Sequence, residues 1–239
     1  MDFKSQPILS VERGENSLQS YFSKVYGYMA NALAVSSVCA YLVTKEPLIN
    51  LFYKTTANGV SYSLLGWLSI FAPLILIYFI HSSATQLNVQ KTKIFFFVFS
   101  ALMGVSLSNA FLLYTSASAF QAFLVTAGSF LGLSIYAKTT SRDLTPMGSF
   151  LSMGVIGLLL TMVVNIFLKS SFLTMAVSVI GVVIFAGLVI YDTQKLKQMH
   201  YMSSTSEEKE VSALRGALSL YLDFINLFWF ILNFMGDRK

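Results

Sequence analysis

The chain has little charge. Asp, Glu, Lys and Arg make up 11% of its 239 residues, where soluble domains carry about 25%. It has one cysteine, Cys39, which excludes an intrachain disulfide and a cysteine-based metal site. Cys39 lies in an apolar run and reads as packing. There are two histidines, His81 and His200, and no H-E-x-x-H or E-x-x-H pair, so a zinc site has no support. No G-x-x-x-x-G-K-[ST] phosphate loop occurs. No serine has a partnered histidine, and Ser106, Ser108 and Ser178 are expected to bond across helices instead. No basic stripe interleaved with aromatics appears, so nucleic acid is not expected as a partner despite a pI near 9.2. These absences point away from an enzyme and from a bound cofactor. The opening MDFKSQPILSVERGENS is polar, without the apolar core of a cleaved signal peptide.

What is present is apolar sequence. Hydrophobic residues make up 55% of the chain and the mean hydropathy is +0.67, the composition of a membrane protein whose first partner is the lipid bilayer. Seven segments approach the roughly 20 residues that span a bilayer: Phe22–Val43, Ser63–Ile80, Ile94–Tyr114, Phe120–Ala137, Met147–Leu168, Phe172–Tyr191 and Leu214–Phe234. The loops are short and no internal repeat is visible. The expected fold is therefore all-α: a polar cytoplasmic N-terminus over residues 1–21, then one bundle of seven transmembrane helices over residues 22–239.

Orientation follows from Lys and Arg, which concentrate in cytoplasmic loops. With the N-terminus inside, the inner side collects eleven, from Lys4, Arg13 and Lys24 to Lys209 and Arg215, and the outer side five. The C-terminus is then outside, provided that the last segment spans rather than re-enters. Pro73 should free a backbone carbonyl that the bundle must satisfy. Thr145 and Pro146 read as the N-cap and first residue of the fifth helix. Gly128 with Gly132, and Gly104 with Ser108, are small-residue pairs expected to pack inside the bundle.

Two acids stand in these apolar runs. Asp223 interrupts SLYLDFINLF, and Asp192 ends GLVIYDTQKLK. A carboxylate costs about 2.5–3.5 kcal/mol at the centre of a membrane helix on insertion scales, which makes each a functional candidate. Both fall in the inner half of adjacent antiparallel segments, where they can meet. Two carboxylates in contact cannot both ionise cheaply, so such a pair shares a proton and titrates as a unit. Losing that proton as pH rises would set the helices apart and attract a cation. The pair is thus a candidate pH sensor and gate, and a weak, transient calcium site, since calcium accepts irregular oxygen ligation. Weak binding suits a permeant ion. Asn226 lies one turn beyond Asp223 and could line the path, whereas Asn109, Asn165 and Asn233 read as interhelical glue. Asp143 reads as a loop ion pair or cap. Glu207, Glu208 and Glu210 stand in a polar loop before the last segment.

The stretches YTSASAFQAFLVTAGSFLGLSIYAKTTSRDLTPMGSFL, VVNIFLKSS, VIGVVIFAGLVIYDTQKLK and SLYLDFINLFWFIL carry a specific resemblance to the Bax inhibitor-1, or transmembrane Bax inhibitor motif, family. It extends from about Tyr21 to the end. The resemblance implies a central C-terminal helix, a proton-sensitive calcium leak and a di-aspartyl sensor at Asp192 and Asp223. Bacterial members carry a basic residue at the end of the second helix that can pair with one of these acids. Here that region reads IYFIHSSATQLN, so His81 is the nearest possible latch, charged only under mildly acid conditions. The short loops and polar N-terminus resemble the bacterial branch, which implies the inner membrane. Some members of that branch are similar to proteins that restrain a membrane-bound protease, so a non-conducting regulator is the alternative function. An intramembrane aspartyl protease is disfavoured, because Asp223 stands in YLDF rather than Gly-x-Gly-Asp.

Overall fold

Backbone amides in hydrocarbon have no water to bond, so a chain this apolar is driven into helices that satisfy their own hydrogen bonds. The computed structural model describes residues 6–56 and 59–239, with side chains over 16–54 and 61–239. Lys4, the Arg13 side chain and the first five residues of the polar N-terminus lie outside the described residues. The elements are α1 (Gln6–Val43), a short α2 (Ile49–Phe52), β1 (Tyr53–Thr56), β2 (Gly59–Tyr62), α3 (Leu64–Thr85), α4 (Val89–Leu113), α5 (Ser116–Thr139), α6 (Met147–Leu168), α7 (Ser171–Met202) and α8 (Ser206–Met235). Among the described residues, seven helices are long and apolar enough to cross a membrane. The protein is an all-α integral membrane protein.

The helices start where the side chains allow. Ser63, Asn88, Thr115, Ser170 and Thr205 each accept a hydrogen bond from a backbone N–H in the first turn of the helix that follows, satisfying a donor that the helix cannot. α6 departs from the expectation. It begins at Met147 with Pro146 at the N-cap position, whose side chain has no group to cap it, and the Thr145 amide donates to Asp143 Oδ1 at 2.9 Å. Bonds from the Thr145 hydroxyl and amide hold the Asp143 carboxyl below the usual carboxylate range.

Two elements extend beyond the sequence expectation. α1 runs without a break through residue 21, where the polar N-terminus was expected to give way to the bundle. α7 continues eleven residues past Tyr191 to Met202, and Thr205 with Glu208 forms a capping box that starts α8 at once. The expected polar loop is thus reduced to Ser203–Thr205. β1 and β2 form an antiparallel hairpin, Tyr53 opposite Tyr62, that the reading of seven spans and short loops did not contain.

α8 is the hub. Half of its apolar window is buried, against 11–33% in the other six, and it packs against α1, α3, α4, α5 and α7. Its far end pairs with the α4–α5 turn: Arg238 bridges Tyr114, and the Lys239 amide donates to the Leu113 carbonyl. Its near end lies beside α1, where Lys24 meets Glu210 at 2.6 Å. α8 therefore crosses the whole bundle instead of re-entering, from beside Lys24 of α1 to the α4–α5 turn.

Close contacts fix α1, α3 and α4. A Cβ on Gly104 would lie 2.4 Å from the Ser36 carbonyl oxygen, so the glycine sets the α1–α4 approach. Pro73 lacks the N–H that the Ser69 carbonyl would receive, and Ser106 on α4 donates to that carbonyl at 3.0 Å. Ser108 also bonds across, to the Tyr53 hydroxyl, whereas Ser178 bonds within its own helix, to Thr174. Gly128 and Gly132 correct the expectation of internal packing: a Cβ on either meets nothing within 4 Å. Their face of α5 points out of the bundle.

Candidate functional site

The periodicity of α8 aims its side chains at different neighbours. Tyr221 is fully buried, with its ring edge-on to Phe96 and Phe99 of α4. Its hydroxyl donates to Ser36 Oγ at 2.7 Å, and Ser36 passes its own proton to the Ser100 carbonyl. Phe224 stands edge-on to Phe123 and Phe130 of α5. At about 100° per residue, a helix held by Tyr221 on one side and Phe224 on another turns Asp223 toward α7. Gly216, two turns earlier, keeps that side narrow: a Cβ there would lie 2.3 Å from Leu196 of α7.

Asp223 and Asp192 face each other there, close enough for each to bear on the other's charge. Asp223 is 5% exposed, and its buried Oδ2 has no hydrogen-bond partner among the described residues. Asp192 is only partly covered and lines a cavity of about 260 Å³. His81, Lys195, Arg215 and Ser219 line the same cavity. The two acids thus differ in access. Asp192 faces an opening toward the α7–α8 turn, and Asp223 is sealed behind it.

Lys195 does not neutralise Asp192 as a local ion pair. Among the described residues the one pair within 4.0 Å is Lys24–Glu210. His81, in the last turns of α3, shares the cavity with Asp192 but makes no hydrogen bond to it. Arg215, one helix further along the chain, is a second cation in that cavity. Sequence reasoning counted it only for orientation. Its spacing of eight residues from Asp223 was visible, but its facing Asp192 depends on the register between helices.

Asn226 is not brought to the pair. Its Nδ2 donates to the Leu222 carbonyl of its own helix. Asn233 is glue as expected, accepting from the Tyr114 hydroxyl at 2.8 Å, and Asn165 ties the α6–α7 turn through Thr174 and the Ser170 amide. Two of the three loop glutamates are occupied: Glu208 caps α8, and Glu210 accepts from Lys24 and the Tyr28 hydroxyl. Beyond Asp223, Phe230 stacks on Phe185 of α7 at 5.6 Å, so the helices are packed shut on that side. No group of three His, Cys, Asp or Glu forms among the described residues. A cation reaching this point would find two carboxylates.

Comparison with known proteins follows the same stretch of chain. Residues 18–239 match the family described as inhibitor of apoptosis-promoting Bax1. The chain is 38% identical over 233 residues to the inner membrane protein YbhL of Escherichia coli strain K12, covering 96% of this chain and 97% of YbhL. It is 40% identical over 226 residues to RP147 of Rickettsia prowazekii, covering 94% and 92%. A Borreliella burgdorferi protein is 38% identical over 233 residues, with 97% and 98% covered.

Proposed function

The chain belongs to the Bax inhibitor-1 family, and we propose that it is a pH-sensitive cation leak of the bacterial inner membrane, gated by Asp192 and Asp223. The observation that carries this reading is the meeting of the two carboxyl groups inside a membrane bundle, one open to a cavity and the other sealed. One shared proton holds α7 to α8. When it leaves, two adjacent anions in an apolar core repel, since their interaction is screened far less there than in water. The helices then part on the side closed by Phe185 and Phe230, and a cation is drawn between the carboxylates.

Calcium is the proposed permeant ion. Two carboxylates hold it weakly enough to release it. The proposed orientation has the N-terminus, the Asp192 cavity and the α7–α8 turn in the cytoplasm and the C-terminus outside, and the bias of basic residues toward one end supports it. His81 lines the cavity onto which Asp192 opens, which supports a part for it in the latch.

The test is calcium-indicator influx into liposomes holding the purified protein, from about pH 5 to about pH 8. Flux should rise with pH. In Asp192→Asn and Asp223→Asn, the amide N–H supplies the hydrogen bond at every pH, and the dependence should vanish. Flux from folded protein that never exceeds empty liposomes would overturn the leak. It would favour the non-conducting regulator of a membrane protease.

A further inference from the structure

We propose that the pocket between α1, the end of α7 and the start of α8 binds a phosphate group at the membrane surface. Ser17, Ser20, Tyr21 and Lys24 of α1 line it together with His200 and Lys209. The four α1 residues follow the i, i+3, i+4, i+7 spacing that puts side chains on one helix face. His200 comes from the last turn of α7 and Lys209 from the first turns of α8. α1 therefore converges on one pocket with the consecutive helices α7 and α8, which are distant from it in sequence. This pocket is separate from the Asp192 cavity, and the inference does not depend on the proposed leak.

The walls are built and the donors are available. The Tyr21 hydroxyl and Ser212 Oγ are 2.8 Å apart, and the Tyr21 ring packs on His200 with centroids 5.0 Å apart. His200 is 6% exposed, and its Nε2 lies 3.4 Å from Ser17 Oγ. Lys24 spends one N–H on Glu210 at 2.6 Å, leaving two. Lys209 is half-buried, and no carboxylate lies within ion-pair distance of it among the described residues. An anion in the pocket would supply the counter-ion that this ammonium lacks among the described residues. Glu210, which faces Lys24, is already engaged by Lys24 and Tyr28.

Size and depth select the ligand class. The pocket holds about 170 Å³, several times the roughly 30 Å³ of a water molecule, which is room for a phosphate group but not for a large solute. The apolar segment of α1 begins at about Phe22, after the polar Ser17, Gln19 and Ser20, so Ser17 to Lys24 stand where the span meets the headgroup layer. Basic pockets between helices at that level bind phosphate headgroups, with lysine acting as a point charge. The phosphate can belong to an anionic lipid or be free in solution.

The experiment uses the full chain purified in a neutral detergent. Native mass spectrometry follows added phosphatidylglycerol against phosphatidylcholine, and calorimetry follows inorganic phosphate. Lys209→Gln should weaken binding about fivefold, the worth of one lysine at an anionic surface. Ser17→Ala with Ser20→Ala should weaken it without changing charge, and Lys54→Gln, in the hairpin at the opposite end, should not. Phosphatidylglycerol bound in preference, with no response to inorganic phosphate, would identify the lipid as the source. Inorganic phosphate bound with no lipid preference would identify free phosphate. Affinities unchanged in Lys209→Gln and in the serine variant, both with wild-type thermal midpoints, would overturn the proposal, as would absence of binding to either ligand.

Discussion

The hydroxyl of Ser106 donates to the carbonyl oxygen of Ser69 at 3.0 Å, from α4 to α3. That carbonyl lies four residues before Pro73, which has no N–H to offer it. The cross-helix bond therefore repairs the gap that the proline leaves. Ser106→Ala should cost about 1–2 kcal/mol, near the upper end for a hydrogen bond inside a membrane protein, because it orphans a buried acceptor. The check is a double-mutant cycle on thermal midpoints in detergent. With Pro73→Ala in place, the helix can bond its own carbonyl, and Ser106→Ala should then cost distinctly less. Equal costs in both backgrounds would mean that the serine does not serve the proline gap.

Two glycines of the same sequence class should respond in opposite directions. Ala at position 104 would press on the Ser36 carbonyl oxygen and Cα, at 2.4 and 2.7 Å. Those are backbone atoms, so the helices themselves must separate, at about 1–3 kcal/mol. The same shift would disturb the Ser36 hydroxyl that receives Tyr221. Gly128→Ala meets open space and should be neutral or stabilising by up to about 1 kcal/mol from helix propensity. Thermal midpoints of the two variants decide it, and a Gly104→Ala protein as stable as the parent would refute the close approach.

These residues also show what could be read from sequence. Asp192 and Asp223 were legible because a charge inside an apolar run has few reasons to be there. Pro73 announced an orphan carbonyl, but not that Ser106 would reach it, since that depends on the rotation of α4 against α3. Gly128 and Gly132 carried the same spacing as internal packing pairs, and only the outward rotation of α5 distinguishes them. The continuation of α7 to Met202 was hidden by its polar residues, although Thr205 and Glu208 already held the spacing of a capping box. The hairpin had its own sign in the Asn58–Gly59 pair between residues of β type, outweighed by the apolar periodicity around it. Arg215 in the Asp192 cavity could not have been found without the α7–α8 register.

The last prediction turns on the proton between Asp192 and Asp223. In the proposed gate, the two carboxyl groups share one proton while α7 and α8 are packed, whereas parted and hydrated carboxylates release theirs at neutral pH. The packed form therefore binds the extra proton, and linkage makes its stability greatest on the acid side and diminishing as pH rises. The slope is bounded by about 1.4 kcal/mol per pH unit for one proton. Asp143 does not contribute to it: its carboxyl is held low by Thr145, so any stability that it lends is lost only on strong acidification. From about pH 5 to about pH 8, the thermal midpoint of the parent protein should fall relative to that of Asp223→Asn, whose amide needs no proton to bond Asp192. A variant that keeps the parent slope would show that the titrating group lies elsewhere, and the proton-held gate would go with it.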